Sequence, residues 1–364
     1  MRRELSRINF IKIAQLVIVF SLLLPLFTLA QTTDLPAGQA GDLRLSTSPL
    51  PINLKATPGS TVSAQLKVKN DGLGEEKIKT TLMKFKADSQ TGAPMLLERE
   101  AGDSFFDWVK FSEDIFTLPS NEWKTVEATF TVPETASFGY YYAVVFSRAD
   151  EKINLDERQT ALTGGLATLV LLEVQVPGAK KEVSLEEFSV AKKMYEFLPA
   201  TFNVKLKNTG NVHTAPRGNI FLSRGKTEVA TIEVNSGQGS ILPDSPRTFT
   251  QEWADGFPVY VSQMEDGKTV LDEQGNQVLK LKWDFKDASK LRFGKYTAKL
   301  LMVYDDGQKD VPLEGEVSFW VVPWRLVGGA LVIALLAFVG LKSTLQNIYR
   351  KIKGLFRRSP QALD

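Results

Sequence analysis

The chain has 364 residues, 43% hydrophobic and 24% charged, which is the composition of a folded protein with room for two domains and excludes a disordered chain. It contains no cysteine, so disulfides, thiolate metal sites, a cysteine nucleophile and a lipidated-cysteine anchor are all excluded; its one histidine, His213, could serve a Ser-His-Asp triad but not a multi-histidine zinc site. The net charge of +2 is uneven: positions 31–324 hold 33 basic against 40 acidic residues, a balance of −7 that makes this body a poor partner for nucleic acid.

At the N-terminus, Arg2, Arg3, Arg7 and Lys12 precede an uncharged run, Ile13–Ala30, that ends in Thr28-Leu29-Ala30. Basic, then apolar, then small residues is the order of a secretory signal. Residues 1–30 are therefore expected to be a signal peptide cut after Ala30, with an uncleaved signal anchor as the other reading of the same run.

Strand signals follow. Val62, Ala64, Leu66 and Val68 alternate along Thr61–Lys69, and Lys77–Lys86, Trp123–Val132, Tyr140–Phe146 and Ala167–Val176 are further runs bounded by turn residues. Short strands at this spacing predict a β-sandwich. The nearly uncharged Leu166–Val176 is too short to cross a bilayer as a helix and predicts a strand buried on both faces.

A second block repeats the first. Gln65-Leu66-Lys67-Val68-Lys69-Asn70-Asp71-Gly72 lines up with Asn203-Val204-Lys205-Leu206-Lys207-Asn208-Thr209-Gly210, and Phe138-Gly139-Tyr140-Tyr141 with Phe293-Gly294-Lys295-Tyr296. Two matches in the same order predict a duplicated fold. The expected class is all-β: two tandem immunoglobulin-like β-sandwich domains, 42–177 and 180–318, joined at Pro177-Gly178-Ala179.

Beyond them, Phe319–Trp324 and the uncharged Leu326–Leu341 together reach the roughly 20 residues a bilayer core requires, predicting a transmembrane helix over 319–341 with Trp320 and Trp324 at the interface. In the tail, 342–364, Leu345, Ile348, Tyr349 and Ile352 recur at helical spacing among Arg350, Lys351 and Lys353, the pattern of a basic amphipathic helix suited to an anionic inner leaflet or to a cytoplasmic partner. The positive-inside rule then places the tail in the cytoplasm and the body outside a plasma membrane crossed once.

Signals for chemistry are sparse. Carboxylates are plentiful, but no spacing marks an acid–base pair, and there is no phosphate-cradling glycine loop, serine elbow or metal-ligand cluster. Asp305-Asp306-Gly307 with Asp310 reads as a hairpin turn, and His213 as a loop residue. No catalytic residue and no cofactor is expected. Aromatic residues are the candidates for binding: Phe257 and Tyr260 in a long connection, Ala254–Gln277, and Phe105, Phe106 and Trp108, which could equally fill the sandwich core.

Taken together, signal, first sandwich with Thr57-Pro58-Gly59-Ser60 early and Val132-Pro133 and Phe138-Gly139-Tyr140 late, second sandwich, one helix and basic tail resemble the WxL-interacting cell-surface proteins of Gram-positive bacteria. The resemblance implies a non-enzymatic surface protein, with peptidoglycan binding in the first domain and docking of another surface or host protein in the second. It brings no catalytic residues. An extracytoplasmic accessory subunit of a membrane complex or transporter is the alternative, and a pilus-type chaperone-like protein the second.

Overall fold

The computed structural model describes residues 43–88, 92–151, 164–265 and 267–356, with side chains as far as 350. The expected signal peptide and its cleavage point lie outside the described residues, as do Arg357 and Arg358. What is described is β-structure followed by one C-terminal apolar helix.

In the first lobe the strands are β1 (Leu45–Ser48), β2 (Ile52–Ala56), β3 (Thr61–Asn70), β4 (Glu76–Ala87), β5 (Pro94–Leu97), β6 (Val109–Phe111), β7 (Ile115–Leu118), β8 (Trp123–Thr131), β9 (Phe138–Arg148) and β10 (Gly165–Val174). They form one sheet in the order β1-β3-β8-β6 and a second in the order β2-β10-β9-β4-β5, with β7 also on β4. Alternation drives the packing. Leu66 and Val68 of β3 and Val126, Ala128 and Phe130 of β8 point inward and bury themselves against Tyr142, Val144 and Phe146 of β9.

The second lobe comprises β11 (Val183–Val190), β12 (Met194–Tyr195), β13 (Ala200–Asn208), β14 (Arg217–Arg224), β15 (Thr227–Val234), β16 (Pro246–Trp253), β17 (Val259–Ser262), β18 (Met264–Glu265), β19 (Lys268–Thr269), β20 (Leu279–Lys282), β21 (Gly294–Asp305) and β22 (Asp310–Val321). Its main sheets, β11-β13-β16 and β12-β22-β21-β14-β15, repeat the first lobe's order without counterparts of β6 and β7, and include the same parallel edge pair: β2 with β10, β12 with β22.

The two sequence matches behave differently. Asn70 and Asn208 are fully buried clamps in equivalent places. Asn70 Nδ2 donates to Gly74 O and Leu118 O while its Oδ1 accepts from Gly72 N; Asn208 does the same with Val212 O, Ile241 O and Gly210 N. The Phe-Gly matches, by contrast, are not equivalent in facing. Tyr296 fills the second core, whereas Tyr141 turns away from the first core, toward the second lobe. Along a strand, one residue of offset moves a side chain to the opposite face.

The lobes share one compact unit. The outer face of the first lobe's larger sheet, with Met83, Phe85, Ala143, Val145 and Leu171, packs against Leu242 at one end of the second. This is why Leu166–Val176 carries a single charge, Glu173: β10 is covered on both sides.

The last element, α1 (Trp324–Phe356), is long and apolar enough to cross a membrane over Trp324–Arg350, and Leu331, Ile333, Leu335, Leu336 and Phe338 are exposed along it. The expected span of 319–341 needs correction at both ends. Phe319, Trp320 and Val321 belong to β22, and Phe319 is 1% exposed, stacked on Tyr296 and edge-on to Phe202. Ladder pairing with β21 and core burial hold these residues in the sheet, and the helix begins only after Pro323, at the first position where backbone pairing ceases. At the other end α1 continues without a break past Leu341 into the expected tail, so span and tail are one helix through Phe356.

Candidate functional site

Three features of the body carry side chains arranged for more than packing: a cleft between the lobes, a polar junction beside it, and an aromatic excursion at the far end of the second lobe.

The cleft encloses about 300 Å³. Phe85, Leu169 and Leu171 of the first lobe line one side, with Leu50 and Pro51 at the margin; Gly237, Gly239, Ser240 and Leu242 line the other. The facing loop is built by Asn235, whose Nδ2 donates to Pro216 O and Gly239 O and whose Oδ1 accepts from Gly239 N. Arg247, at the start of β16, supplies the charge. Its Nη1 donates to Ser240 O at 2.7 Å and its guanidinium lies 5.3 Å from the Phe249 ring centroid. It forms no ion pair among the described residues, and loss of solvent lowers its pKa from the ordinary arginine value. Gly239 lets the guanidinium lie close against the loop: a Cβ there would come within 2.6 Å of Arg247 Nη2 and displace it. A mostly apolar cleft with one desolvated cation suits an apolar group that carries a carboxylate.

The junction lies where the linker enters the second lobe. Glu173 of β10 and Lys181 are paired at 3.0 Å, with side chains 11% and 15% exposed. His213 is buried beside them, its ring edge-on to Tyr141 at 5.8 Å, and its Nδ1 has no hydrogen-bond partner. Burial pulls its pKa down to about 4; Glu173 opposes that shift while Lys181 and Lys55 add to it. The expected loop histidine is therefore a neutral interface residue. The adjacent Asp305–Asp310 segment is the hairpin turn expected, with Asp306 Oδ1 accepting from Gln308 N and Lys309 N.

The excursion runs from Trp253 to Gly294, longer than the expected Ala254–Gln277, because β20 pairs with β17 inside it rather than joining a main sheet. Arg292 closes its neck, donating Nε to Asp255 O at 2.8 Å and Nη2 to Asp255 Oδ2 at 2.6 Å. Phe257 and Tyr260 are both here. Phe257 is 9% exposed and packs on Trp283 and Phe285; half-buried Tyr260 packs on Phe197. The exposed members of the group are Trp283 and Phe285, stacked 6.3 Å apart and 46% and 74% exposed. Their signal in the sequence was Leu279-Lys280-Leu281-Lys282-Trp283, an alternating strand with nothing to cover its apolar side.

Phe105, Phe106 and Trp108 are not part of this group. They sit within a 3-10 turn, Ser104–Trp108, at the end of the first core, where Phe106 is buried and Phe105 and Trp108 are half-buried around Tyr140 and Tyr142.

No family model matches the chain, and no curated protein matches it. Among solved structures it is similar to the class 5 fimbriae chaperone CfaA, with 16% identity, covering 66% of this chain and 100% of that one, at a TM-score of 0.32. It is similar to the E. coli chaperone DraB with 14% identity over 76% of this chain and 98% of that one, at 0.30. For the CsuC-CsuE chaperone-tip adhesion subunit pre-assembly complex of Acinetobacter baumannii the values are 12%, 74%, 97% and 0.32. Likeness at this level carries no activity or partner over to this chain.

Proposed function

We propose that this chain is a non-enzymatic, single-pass membrane protein whose two immunoglobulin-like lobes stand outside the cytoplasm and bind another polypeptide in the cleft between them. The observation that supports this most is Arg247: a cation drawn partly out of water, held against an apolar cleft, with no carboxylate paired to it among the described residues. An acidic side chain or a chain terminus within an apolar segment would supply the missing anion. Peptidoglycan is a poorer match, because sugar rings favour exposed aromatic platforms and Phe85 is the one aromatic residue in the cleft's lining.

The test uses the full chain in the producing cell, with a photoreactive residue at Gly237, where a Cβ would meet nothing within 4 Å. Illumination is expected to yield a crosslink to one polypeptide, and Arg247→Gln to weaken that partner's binding about tenfold or more, the ~1.5–3 kcal/mol of a charge-assisted hydrogen bond. Crosslinks indifferent to Arg247→Gln, or adducts to glycan alone, would refute the reading. A pilus-type chaperone role is the second reading. The location of the cleft between two lobes favours it, and a crosslink confined to a soluble subunit in transit would select it over a resident surface partner.

A further inference from the structure

The two ends of the second lobe differ in chemistry. At one end lie the junction with the first lobe and the Asp305–Asp310 turn. The opposite end, about 40 Å away along the 12-residue strands β21 and β22, is where β16 stops, β21 starts and β22 passes into α1. The excursion joins β16 to β21, so topology alone roots it at the helix end. Two consecutive residues fix its position more closely. Glu196 forms an ion pair with Arg325, in the first turn of α1, at 3.5 Å, while Phe197 packs on Trp283 of the excursion at 6.4 Å.

This end gathers exposed aromatic residues and lysines, although the 254–293 segment as a whole holds seven acidic and six basic residues; of the carboxylates beside them, Asp287 is paired with Lys290 and Asp284 Oδ1 accepts from Lys286 N. Trp283, Phe285, Leu291, Phe293, Trp320 and Trp324 are each between 46% and 74% exposed. Lys192, Lys193, Lys280, Lys282, Lys286 and Lys295 are exposed and form no ion pair among the described residues. Asp255, the nearest carboxylate of the neck, is already held by Lys290 and Arg292. Tryptophan and phenylalanine beside unpaired lysines, adjoining the start of an apolar helix, match the chemistry of an anionic lipid headgroup layer.

We propose that the 254–293 excursion is a membrane seat: Trp283, Phe285 and Phe293 enter the headgroup layer of the same bilayer that α1 crosses, and Lys280, Lys282 and Lys286 set against its anionic headgroups. This rests on α1 spanning a bilayer but not on which side of it the body lies. The seat would hold the second lobe at a fixed height and tilt, with the first lobe and the cleft at the far end.

The absence of cysteine allows single-site spin labels on the full chain. Ser289→Cys reports on the excursion, Gln308→Cys on the opposite end, and Leu335→Cys on the helix. In phosphatidylcholine–phosphatidylglycerol vesicles, the label at 289 is expected to collide with oxygen more, and with an aqueous nickel chelate several-fold less, than the label at 308. Replacing Lys280, Lys282 and Lys286 with Gln together, or using phosphatidylcholine alone, should shift 289 toward the behaviour of 308 and leave 335 unchanged. A water-exposed 289 beside a lipid-exposed 335 overturns the seat while leaving the span intact. A water-exposed 335 overturns both.

Discussion

The two buried asparagines make a matched pair whose energies should differ for a reason visible in their surroundings. Replacing Asn208 with Ala removes three hydrogen bonds from a site closed to water. Ile241 O is not stranded, because it still accepts from Thr214 N at 3.2 Å. Val212 O and Gly210 N are left without that partner in buried residues. Two stranded groups at roughly 1–3 kcal/mol each put the cost of Asn208→Ala at about 3 kcal/mol or more. At Asn70 the partners differ: only Leu118 O lies in a buried residue, while Gly74 is exposed and Gly72 half-exposed, so water can replace two of the three bonds, and Asn70→Ala should cost only about 1–2 kcal/mol. A body with two cores need not unfold in one step, so the assay should read each lobe separately. Hydrogen exchange of the full chain in micelles, followed by mass spectrometry, does so through peptides from β3 and β13. Equal costs, or a larger cost at Asn70, would refute the argument that burial of the partner groups sets the penalty.

The lone histidine gives a second prediction, because His213 is the only imidazole in the chain and its resonances need no assignment. Its folded pKa of about 4 lies below the ordinary 6.5, so the unfolded chain binds the extra proton first: its stabilising contribution is complete above pH 6.5 and is lost as pH falls toward 4. His213→Gln should flatten that part of the stability profile, and an imidazole titrating near 6.5 in the folded chain would rule the account out. The boundary of the span is equally open to measurement. Phe319→Ala should destabilise the second lobe by about 3–5 kcal/mol as a buried aromatic, while the exposed neighbour Trp320→Ala should cost under about 1 kcal/mol, and similar small effects at both would return residue 319 to the membrane.

Much of this architecture could be read from the sequence because it is written in period two. Leu66, Val68, Val204 and Leu206 alternate with lysines, and the Asn-x-Gly ends of β3 and β13 mark the same turn twice. The helix could be read from its uncharged length, but its start could not. Phe319-Trp320-Val321 is apolar either way, and only the pairing of Tyr296 with Phe319 across β21 and β22 assigns it to the sheet. The cleft was illegible for a related reason. It is assembled from Leu171, Leu242, Gly239 and Arg247, which no local pattern relates, and its arginine stands out only once the absence of an ionic partner among the described residues is known. The aromatic candidates were separated by context: Phe106 and Phe257 are both buried, but Phe257 lies beneath Trp283 and Phe285, which are not.

One topology used twice shows how a second face is decided by its neighbour. β10 and β22 hold the same place in their sheets, each flanked by a parallel edge strand and an antiparallel partner. Yet β10 is Gly-Leu-Ala-Thr-Leu-Val-Leu-Leu-Glu-Val, buried on both sides, and β22 begins Asp-Val-Pro-Leu-Glu-Gly-Glu, with every second residue in solvent. The inner faces are constrained alike, because each must fill a sandwich core. The outer faces diverge because the second lobe docks on one of them, making apolar residues favourable there, while charge on the other avoids an exposed apolar sheet. The lone carboxylate of β10, Glu173, is consistent with this: it sits at the edge of the covered face and is matched by Lys181 from the arriving linker. Docking of the lobes is therefore recorded in the first lobe's sequence, and substitutions that make the outer face of β10 polar should release the second lobe while leaving the first core intact.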